Sequence, residues 1–528
     1  MAEERISTGG KSPVPASELK HDYHEKQSTL VEGQDPERFG YTQQLTRNLG
    51  LMSMIGMGFA VSSCWTAMGG TFQNAFNAGG PVTLSFGWIG VTLCALCVAG
   101  SLAEMCSSMP TNGGQFSWTG MLSSEKWAPI TSWITGWIQL IGVLALGSTG
   151  LLFAAQYIMG VAVILNPTYT SERWQMVLVM YMIAILITLA NIYAVKLLPH
   201  LTTASLVWSV VGFLVTIIVL LVMIPEKNSA SYVFTSYSNF SGYEEKGIAV
   251  IIGLLQSFWG MLCYDAPAHM AEEMHNPAVD APRAMITTVI VGGITGWAFL
   301  IAVLFCVGNI EEVLGTATGL PFIQIWYDST HSDAAIIILG LFQIICASLA
   351  ALMLLTEGSR TVHAFARDHG LPFASTWSKV NPRFNVPINA IFLAVGVQCV
   401  LCAIYFGTAT GFYALTSVAT IGFYVSYLMP ILVLLIRGRK VLKPGPFHLG
   451  KLGLPANLIS VVFLTFGIIF FCIPSSRPVT AQSMNYTIVV LSAVAILSGI
   501  SWFTGGRKAY VPPRELRSYH SDSTISQE

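Results

Sequence analysis

The sequence predicts an all-α integral membrane protein of twelve transmembrane helices, arranged as a 5+5 inverted repeat plus two extra helices. Of the 528 residues, 53% are hydrophobic and only 10% are charged, and the mean hydropathy is +0.62. Uncharged stretches of roughly 20 residues, long enough to cross a bilayer, recur along the chain. A soluble fold could not cover so much apolar surface, so the solvent of this chain is largely lipid.

The apolar stretches, called spans 1 to 12 in chain order, define the predicted helices. They cover residues 49–75, 81–106, 129–160, 175–195, 200–224, 248–270, 285–308, 334–357, 387–407, 411–436, 453–473 and 485–504. With both termini placed in the cytoplasm, 22 of the 26 Lys and Arg residues fall in cytoplasmic segments. Cytoplasmic loops carry an excess of such residues, so we expect both termini on that side.

Composition divides the chain into three parts. Residues 1–47 and 506–528 are polar and are expected to be disordered cytoplasmic tails. The twelve spans occupy 48–505. The N-terminal tail has no apolar core of the kind that a signal peptide needs, so span 1 is expected to act as the insertion signal.

Two spans are interrupted. Gly56-Met57-Gly58 interrupts span 1, and the segment from Trp259 to Pro267 interrupts span 6. A helix in lipid must satisfy its own backbone hydrogen bonds, so such breaks indicate unwound backbone around a cavity that binds a small solute or ion. The second broken span follows the first by five spans, an odd number, so the second unit enters the membrane from the opposite side. This is the pattern of an inverted repeat, spans 1–5 against 6–10, typical of secondary transporters.

Carboxyl groups within or beside apolar spans are candidates for solute or proton handling. Burying one near the bilayer centre costs ~2.5–3.5 kcal/mol even on a lenient scale. Asp265 is therefore predicted to handle solute or protons, and Glu104 either to do so or to accept hydrogen bonds from loop backbone. His269 lies one turn after Asp265 on the same helix face, where it would relay a proton or simply hydrogen-bond the carboxylate.

Charged residues near the predicted cytoplasmic ends of spans 6 and 7 suggest a gate. Glu272, Glu273 and Arg283 would form an ion-pair network that closes the inner side, or would be solvated helix ends. In the external loop after span 5, Asn239-Phe240-Ser241 is a glycosylation sequon. No nucleophile–base pair, metal-ligand spacing or phosphate loop is present, so the sequence predicts neither an enzyme nor a metal site.

Two motifs carry a family resemblance. They are AEMCSSMPTNGGQFSW at residues 103–118 and YDAPAHMAEEMHNP at residues 264–277. Together with the break in span 1, they resemble the amino acid–polyamine–organocation permeases, and within them the fungal amino acid/choline branch that includes γ-aminobutyrate and choline permeases. The resemblance covers roughly residues 40 to 505 and implies the LeuT-like fold.

The resemblance also implies a central solute site. Its residues would be Gly56, Gly58 and Ser62 on one wall and Phe258, Trp259, Gly260 and Asp265 opposite. Trp259 would be an aromatic lid that can hold an ammonium group by cation–π attraction, or would pack ordinarily. Replacing Asp265 by Asn is expected to abolish transport of a cationic solute and only weaken that of a zwitterion.

The function implied is proton-coupled uptake of an amino acid, γ-aminobutyrate or choline by alternating access. The proton gradient would supply the energy, sodium is the less favoured ion, and no cofactor or nucleic acid is expected. The implied location is the plasma membrane. Alternatives are an exporter or vacuolar transporter of a basic secondary metabolite and, in another class, a nutrient receptor that does not transport.

Overall fold

Helices follow one another along the described chain, because backbone in lipid must satisfy its hydrogen bonds locally. The computed structural model describes residues 36–166, 168–224, 226–316, 318–480 and 484–514, and these ranges contain no β-strand. Residues 43–514 form one compact unit. Before them, Pro36–Phe39 form a short 3-10 helix. The predicted disordered tails lie largely outside the described residues.

Ten helices of the described ranges are long and apolar enough to cross a membrane, and they match ten of the predicted spans. They are Gly80–Ser108 (span 2), Ala128–Leu165 (3), Arg173–Tyr193 (4), Leu198–Met223 (5), Pro277–Cys306 (7), Asp333–Arg367 (8), Ile388–Cys402 with Ile404–Gly407 (9), Ala409–Arg437 (10), Gly453–Phe470 (11) and Thr487–Ser501 (12). Short helices in the connections are Gln115–Leu122, Ala230–Thr235, Ile310–Leu314, Pro321–Thr330 and Ala374–Trp377.

The other two spans are the broken ones. Span 1 consists of Leu51–Ser62 and Met68–Asn77, and span 6 of Lys246–Gly260 and the 3-10 helix Ala266–Glu273. Each break contains one residue in the left-handed region, Ser63 with φ 44° and Cys263 with φ 63°. Side chains with a Cβ rarely adopt this conformation, and such strain clusters at functional sites. The predicted twelve-helix class with broken spans 1 and 6 is confirmed.

The break in span 1 comes later than the sequence prediction placed it. Gly56 and Gly58 lie inside the intact helix Leu51–Ser62. A Cβ on Gly56 would collide with the backbone carbonyl of Thr202 in span 5, and one on Gly58 with the side chain of Thr288 in span 7. These glycines therefore allow close helix packing, as small residues do in membranes, rather than unwinding the helix.

Span 8 continues ten residues past its predicted C-terminal end and ends at Arg367. Arg360 and Arg367, expected in a cytoplasmic loop, are therefore helical. They form ion pairs with Glu273 and Glu272, respectively. These carboxylates offset the positive charges of both guanidinium groups, and the helix continues past its apolar stretch.

Burial distinguishes the central spans from the peripheral ones. The most apolar window of span 3 is 83% buried, whereas that of span 12 is 6% buried. Span 3 packs along spans 8 and 10, and span 8 also contacts the first helix of span 1 and the second piece of span 6. Span 3 thus forms part of the core, and span 12 leaves nearly all of its apolar surface exposed.

Candidate functional site

A small cavity of about 40 Å³ lies beside the two breaks. Spans 1, 3, 6 and 8 all contribute to its lining, which includes Ser63, Thr66, Phe153, Tyr157 and Trp259. None of the residues that line it is charged. Its volume suits roughly three water molecules. A larger solute can enter only if the surrounding spans or side chains move apart.

Side chains from neighbouring spans hold the break in span 1. The hydroxyl of Tyr157 in span 3 donates to the carbonyl of Thr66 at 3.0 Å. The indole nitrogen of Trp65 donates to the hydroxyl of Ser209 in span 5 at 2.9 Å. The first bond gives a backbone carbonyl of the break a partner, and the second fixes the side chain of Trp65, so the break is a defined structure rather than a frayed end.

Trp259 forms one wall of the cavity and is only 5% exposed. Its ring stands edge-on to Phe153 of span 3, with the ring centroids 6.2 Å apart. Its indole N–H is buried and has no hydrogen-bond partner in the described part of the chain. A buried donor without a partner costs roughly 1–3 kcal/mol, so this N–H is suited to an acceptor group that a solute brings.

The other residues predicted to line the solute site face elsewhere. Phe258 stacks on Phe463 of span 11 with centroids 4.6 Å apart. Gly260 packs against the ring of Trp88 in span 2. Ser62 lies at the end of the first helix of span 1, and its hydroxyl is 3.2 Å from the sulfur of Cys64. Helix periodicity explains this, because residues next to Trp259 on the chain must point to different sides.

Asp265 is fully buried but is absent from the cavity lining. Residues 109–118, called the loop motif below, follow span 2. Within this motif, Gln115 donates a side-chain N–H to Oδ2 of Asp265 at 2.6 Å. The hydroxyl of Tyr427 in span 10 donates to Oδ1. His269 Nε2 lies 3.1 Å from Oδ2. Asp265 thus joins three elements at the inner side of span 6 in this conformation, and the geometry does not support the predicted contact with solute.

The loop motif packs directly on the second piece of span 6. Nδ1 of His269 is 3.0 Å from the carbonyl oxygen of Asn112, and the side-chain oxygen of Asn112 accepts from the backbone N–H of Glu272 at 2.8 Å. Gly114 has a φ of 56°, and a Cβ there would meet the His269 ring. Gly114 therefore permits the close approach to His269, and the next residue, Gln115, reaches Asp265.

The predicted gate residues make a different network from the expected one. Glu272 forms a two-pronged pair with Arg367, at 2.8 and 2.9 Å. Glu273 binds Nε of Arg360 at 2.8 Å, and both of these side chains are buried. Arg283, by contrast, is exposed. The partners of the two glutamates come from span 8 because its helix continues past the predicted end.

Glu104 binds the loop that precedes span 11. Its carboxylate accepts from Arg439 at 2.6 and 2.7 Å and from the backbone N–H of Leu449 at 3.1 Å. These contacts agree with the prediction that Glu104 accepts hydrogen bonds from loop backbone.

At the predicted glycosylation site, the side-chain amide of Asn239 donates to the carbonyl of Tyr243 at 2.7 Å, and Asn239 is partly exposed.

Sequence reasoning missed Glu357, Gln115 and Tyr427. Glu357 is fully buried in span 8, and one oxygen of it lies within 4.8 Å of a carboxylate oxygen of Asp265 and a ring nitrogen of His269. Glu357 is the last residue of the predicted span 8. The argument that singled out Asp265, that a carboxyl group within or beside an apolar span is a functional candidate, would have found Glu357 as well. Gln115 and Tyr427 are neutral, and only the folded chain shows that they reach Asp265.

Comparison with known proteins gives the family. Residues 49–494 match the family model described as amino acid permease. The chain is 42% identical over 438 residues to a protein of Macrophomina phaseolina named as an amino acid/polyamine transporter, covering 82% of this chain and 96% of that one. It is 30% identical over 467 residues to a choline transporter of Saccharomyces cerevisiae, covering 88% and 83%.

Two further similarities extend over most of the chain. The amino-acid permease BAT1 of Arabidopsis thaliana is 30% identical over 492 residues, which cover 89% of this chain and 95% of that one. Among solved structures, a manganese transporter of Eremococcus coleocola superposes with a TM-score of 0.54 at 12% identity, covering 94% of this chain and 96% of that one. At that identity the superposition shows a shared fold alone.

Proposed function

Because the chain belongs to the amino acid permease family, we propose that this transporter takes up a small amine-bearing solute together with protons. The solute classes are amino acids, γ-aminobutyrate and choline. Transport would proceed by alternating access, in which the site between the two broken spans opens to one side of the membrane at a time. The plasma membrane, with both termini in the cytoplasm, is the proposed location.

Trp259 is the observation that carries the proposal. It is a buried aromatic ring on a cavity bounded by both broken spans, and its N–H has no partner among the described residues. The ring face suits an ammonium group, worth ~0.5–2 kcal/mol, and the N–H suits a carboxylate or hydroxyl oxygen of the same solute.

The uncharged lining narrows the solute class. No lining residue of the cavity can form an ion pair. A quaternary ammonium group can be held by aromatic faces, and a zwitterion carries its own countercharge, so both suit such a site. A solute with net charge above one would have to be desolvated without any countercharge, which is costly. We therefore favour choline-like and zwitterionic solutes over polyamines.

Proton coupling is supported by the buried pair Asp265 and His269. The two side chains lie 3.1 Å apart in the second piece of span 6, linked to the loop motif and to span 10. Histidine is the side chain that most readily gains or loses a proton near neutral pH. Motion of span 6 during the transport cycle would change the surroundings of this pair and hence its protonation.

Uptake of a labelled panel by permease-deficient cells tests the proposal. The panel would contain choline, γ-aminobutyrate, and neutral and basic amino acids, at acidic external pH, with and without a protonophore, and with sodium replaced by potassium. We expect saturable uptake of one class that the protonophore abolishes and that does not need sodium. Absence of uptake despite surface expression would favour export, vacuolar storage or sensing, and a sodium requirement would overturn proton coupling.

A further inference from the structure

Glu357 is a buried carboxyl group without a hydrogen-bond partner among the described residues. It is fully buried near the inner end of span 8, and neither of its side-chain oxygens has a hydrogen-bond partner in the described part of the chain. An oxygen of Glu357 lies within 4.8 Å of the facing atoms of Asp265 and His269. Three titratable side chains therefore share one buried site.

The hydrogen bonds fix the net charge of Asp265 and His269. Nδ1 of His269 faces the carbonyl oxygen of Asn112, which can only accept, so Nδ1 carries a hydrogen. Asp265 accepts from Gln115 and Tyr427. The contact of 3.1 Å between Nε2 of His269 and Oδ2 of Asp265 requires one further hydrogen, carried by one of these two atoms. Whichever atom carries it, the net charge of the pair is zero.

Other charged groups around Glu357 are already paired or lie elsewhere. Span 6 presents Asp265, His269 and the thiol of Cys263, and span 10 presents Tyr427, which is bound to Asp265. On span 8 itself, Arg360 follows by less than one turn but binds Glu273. Spans 1 and 3 also pack on span 8 and carry no charged residue within Leu51–Ser62 and Ala128–Leu165. Span 4 contributes Asn191, which accepts from Thr356.

Because the pair of Asp265 and His269 has no net charge, an ionised Glu357 would leave this site with an unbalanced negative charge. Burying an unpaired carboxylate is so unfavourable that such a group takes up a proton instead. Glu357 is therefore neutral in this conformation and holds a proton.

Two of the ion pairs described above, Glu272 with Arg367 and Glu273 with Arg360, join the same two elements, span 6 and span 8, at the inner side of this site.

We propose that Glu357 carries the proton that is coupled to solute transport, an inference that rests on the proposed proton symport. Glu357 takes up a proton while the outer side is open and keeps it while the inner side is closed. When span 6 and span 8 separate, water reaches the carboxyl group, its O–H bond breaks, and the proton passes to water on the inner side. The empty carrier then returns with Glu357 ionised, and the carboxylate regains a proton only from water on the outer side, so that one proton crosses the membrane in each cycle.

Replacement of Glu357 by Gln tests the assignment, because Gln imitates the protonated carboxyl group and cannot release a proton. The full-length wild type, Glu357→Gln and Glu357→Asp would be reconstituted in liposomes that contain a pH-sensitive dye. The solute that the uptake panel identifies serves as the probe. Asp333→Asn, an exposed carboxylate at the start of the same span, is the matched control.

We expect Glu357→Gln to lose solute-driven proton entry, and its solute accumulation against a gradient to fall to about the equilibrium ratio of one. Counterflow exchange, which needs no net proton movement, should stay within about threefold of wild type and would show that the variant is folded. Glu357→Asp and Asp333→Asn should keep proton entry.

Either of two results would overturn the role of Glu357 while leaving the proposed proton symport intact. The first is that the wild type couples solute to protons and Glu357→Gln admits as many protons per solute as the wild type does. The second is loss of counterflow together with uptake, because a neutral side chain should preserve the closed state. A wild type that moves solute without protons would instead overturn the proposed proton symport, and the role of Glu357 with it.

Discussion

Substitution of Trp259 is the most direct test of the proposed solute site. Of the seven residues that the sequence predicted for this site, Trp259 is the one that lines the cavity. Its neighbours Phe258 and Gly260 pack against spans 11 and 2 instead. A single ring therefore supplies both the aromatic face and the free N–H that the proposed binding mode needs.

Replacing Trp259 by Ala should weaken solute binding because both contacts are lost. A cation–π contribution of ~0.5–2 kcal/mol corresponds to a rise in KM of roughly 2- to 30-fold. Trp259→Phe should recover part of the affinity for an ammonium solute because it keeps a ring. The measurement is KM for uptake, with exposed Trp174→Ala as control; an unchanged KM in Trp259→Ala would place the solute elsewhere.

Asp265 now calls for a different expectation from the one that the sequence suggested. Asn at this position would turn an NH₂ group toward donors from Gln115, Tyr427 or His269. Because these bonds join the loop motif and span 10 to span 6, we expect Asp265→Asn to reduce uptake of choline and γ-aminobutyrate alike, by at least about tenfold.

Uptake of both solutes at matched surface expression checks this expectation. Glu244→Gln, an exposed carboxylate in the external loop, serves as control and should behave as wild type. Selective loss of choline uptake, with γ-aminobutyrate uptake retained, would instead favour the direct contact between Asp265 and a cation that the sequence predicted.

At the scale of elements, the side of span 6 that is predicted to face the cytoplasm is held by contacts with several partners. The loop motif after span 2 binds its second piece through Asn112 and Gln115. Span 8 binds it through the two Glu–Arg pairs. The segment before span 1 adds backbone bonds from Asn48 and Leu49 to the carbonyl of Glu273. Opening the inner side must separate these contacts.

Close packing of span 1 on span 5 depends on Gly56. Gly56→Ala would push a methyl group into the carbonyl of Thr202, and backbone cannot easily yield. Overpacking of this kind costs about 1–3 kcal/mol, so the apparent Tm of the purified protein in detergent should fall by several degrees. Gly90→Ala in span 2 meets no atom within 4 Å and is the matched control. Equal Tm values for the two variants would contradict the packing argument.

At the scale of the whole molecule, the distribution of Lys and Arg predicts the orientation in the membrane. With 22 of 26 on one side, both termini should be cytoplasmic and Asn239 should be external. An epitope at the C-terminus should therefore react with antibody only after the cells are permeabilised. Staining of intact cells would contradict this orientation.

Glycosylation of Asn239 offers a second check on orientation. A glycosidase-sensitive shift in mobility that disappears in Ser241→Ala would place the loop outside the cytoplasm. The amide nitrogen of Asn239 donates to the carbonyl of Tyr243 in the fold and would keep one N–H after a glycan is attached. The epitope result decides the prediction.

The sequence by itself determined the membrane class, the twelve spans, which two of them are broken, and the family resemblance. These features depend on local composition, such as apolar length, charge placement and motif spacing. Each segment enters the bilayer according to its own apolar length and flanking charges. The sequence also placed Asp265 and His269 on one face, and their contact in the structure follows from helix geometry.

Tertiary structure alone decided which side chains meet across spans. Gly56 and Gly58 looked like helix breakers, but their role depends on the neighbours that approach them. Glu272 and Glu273 find Arg367 and Arg360 because span 8 continues past its apolar stretch. Glu357 faces Asp265 across more than ninety residues of chain. Such contacts arise from packing in three dimensions, which neither hydrophobic period nor motif spacing encodes.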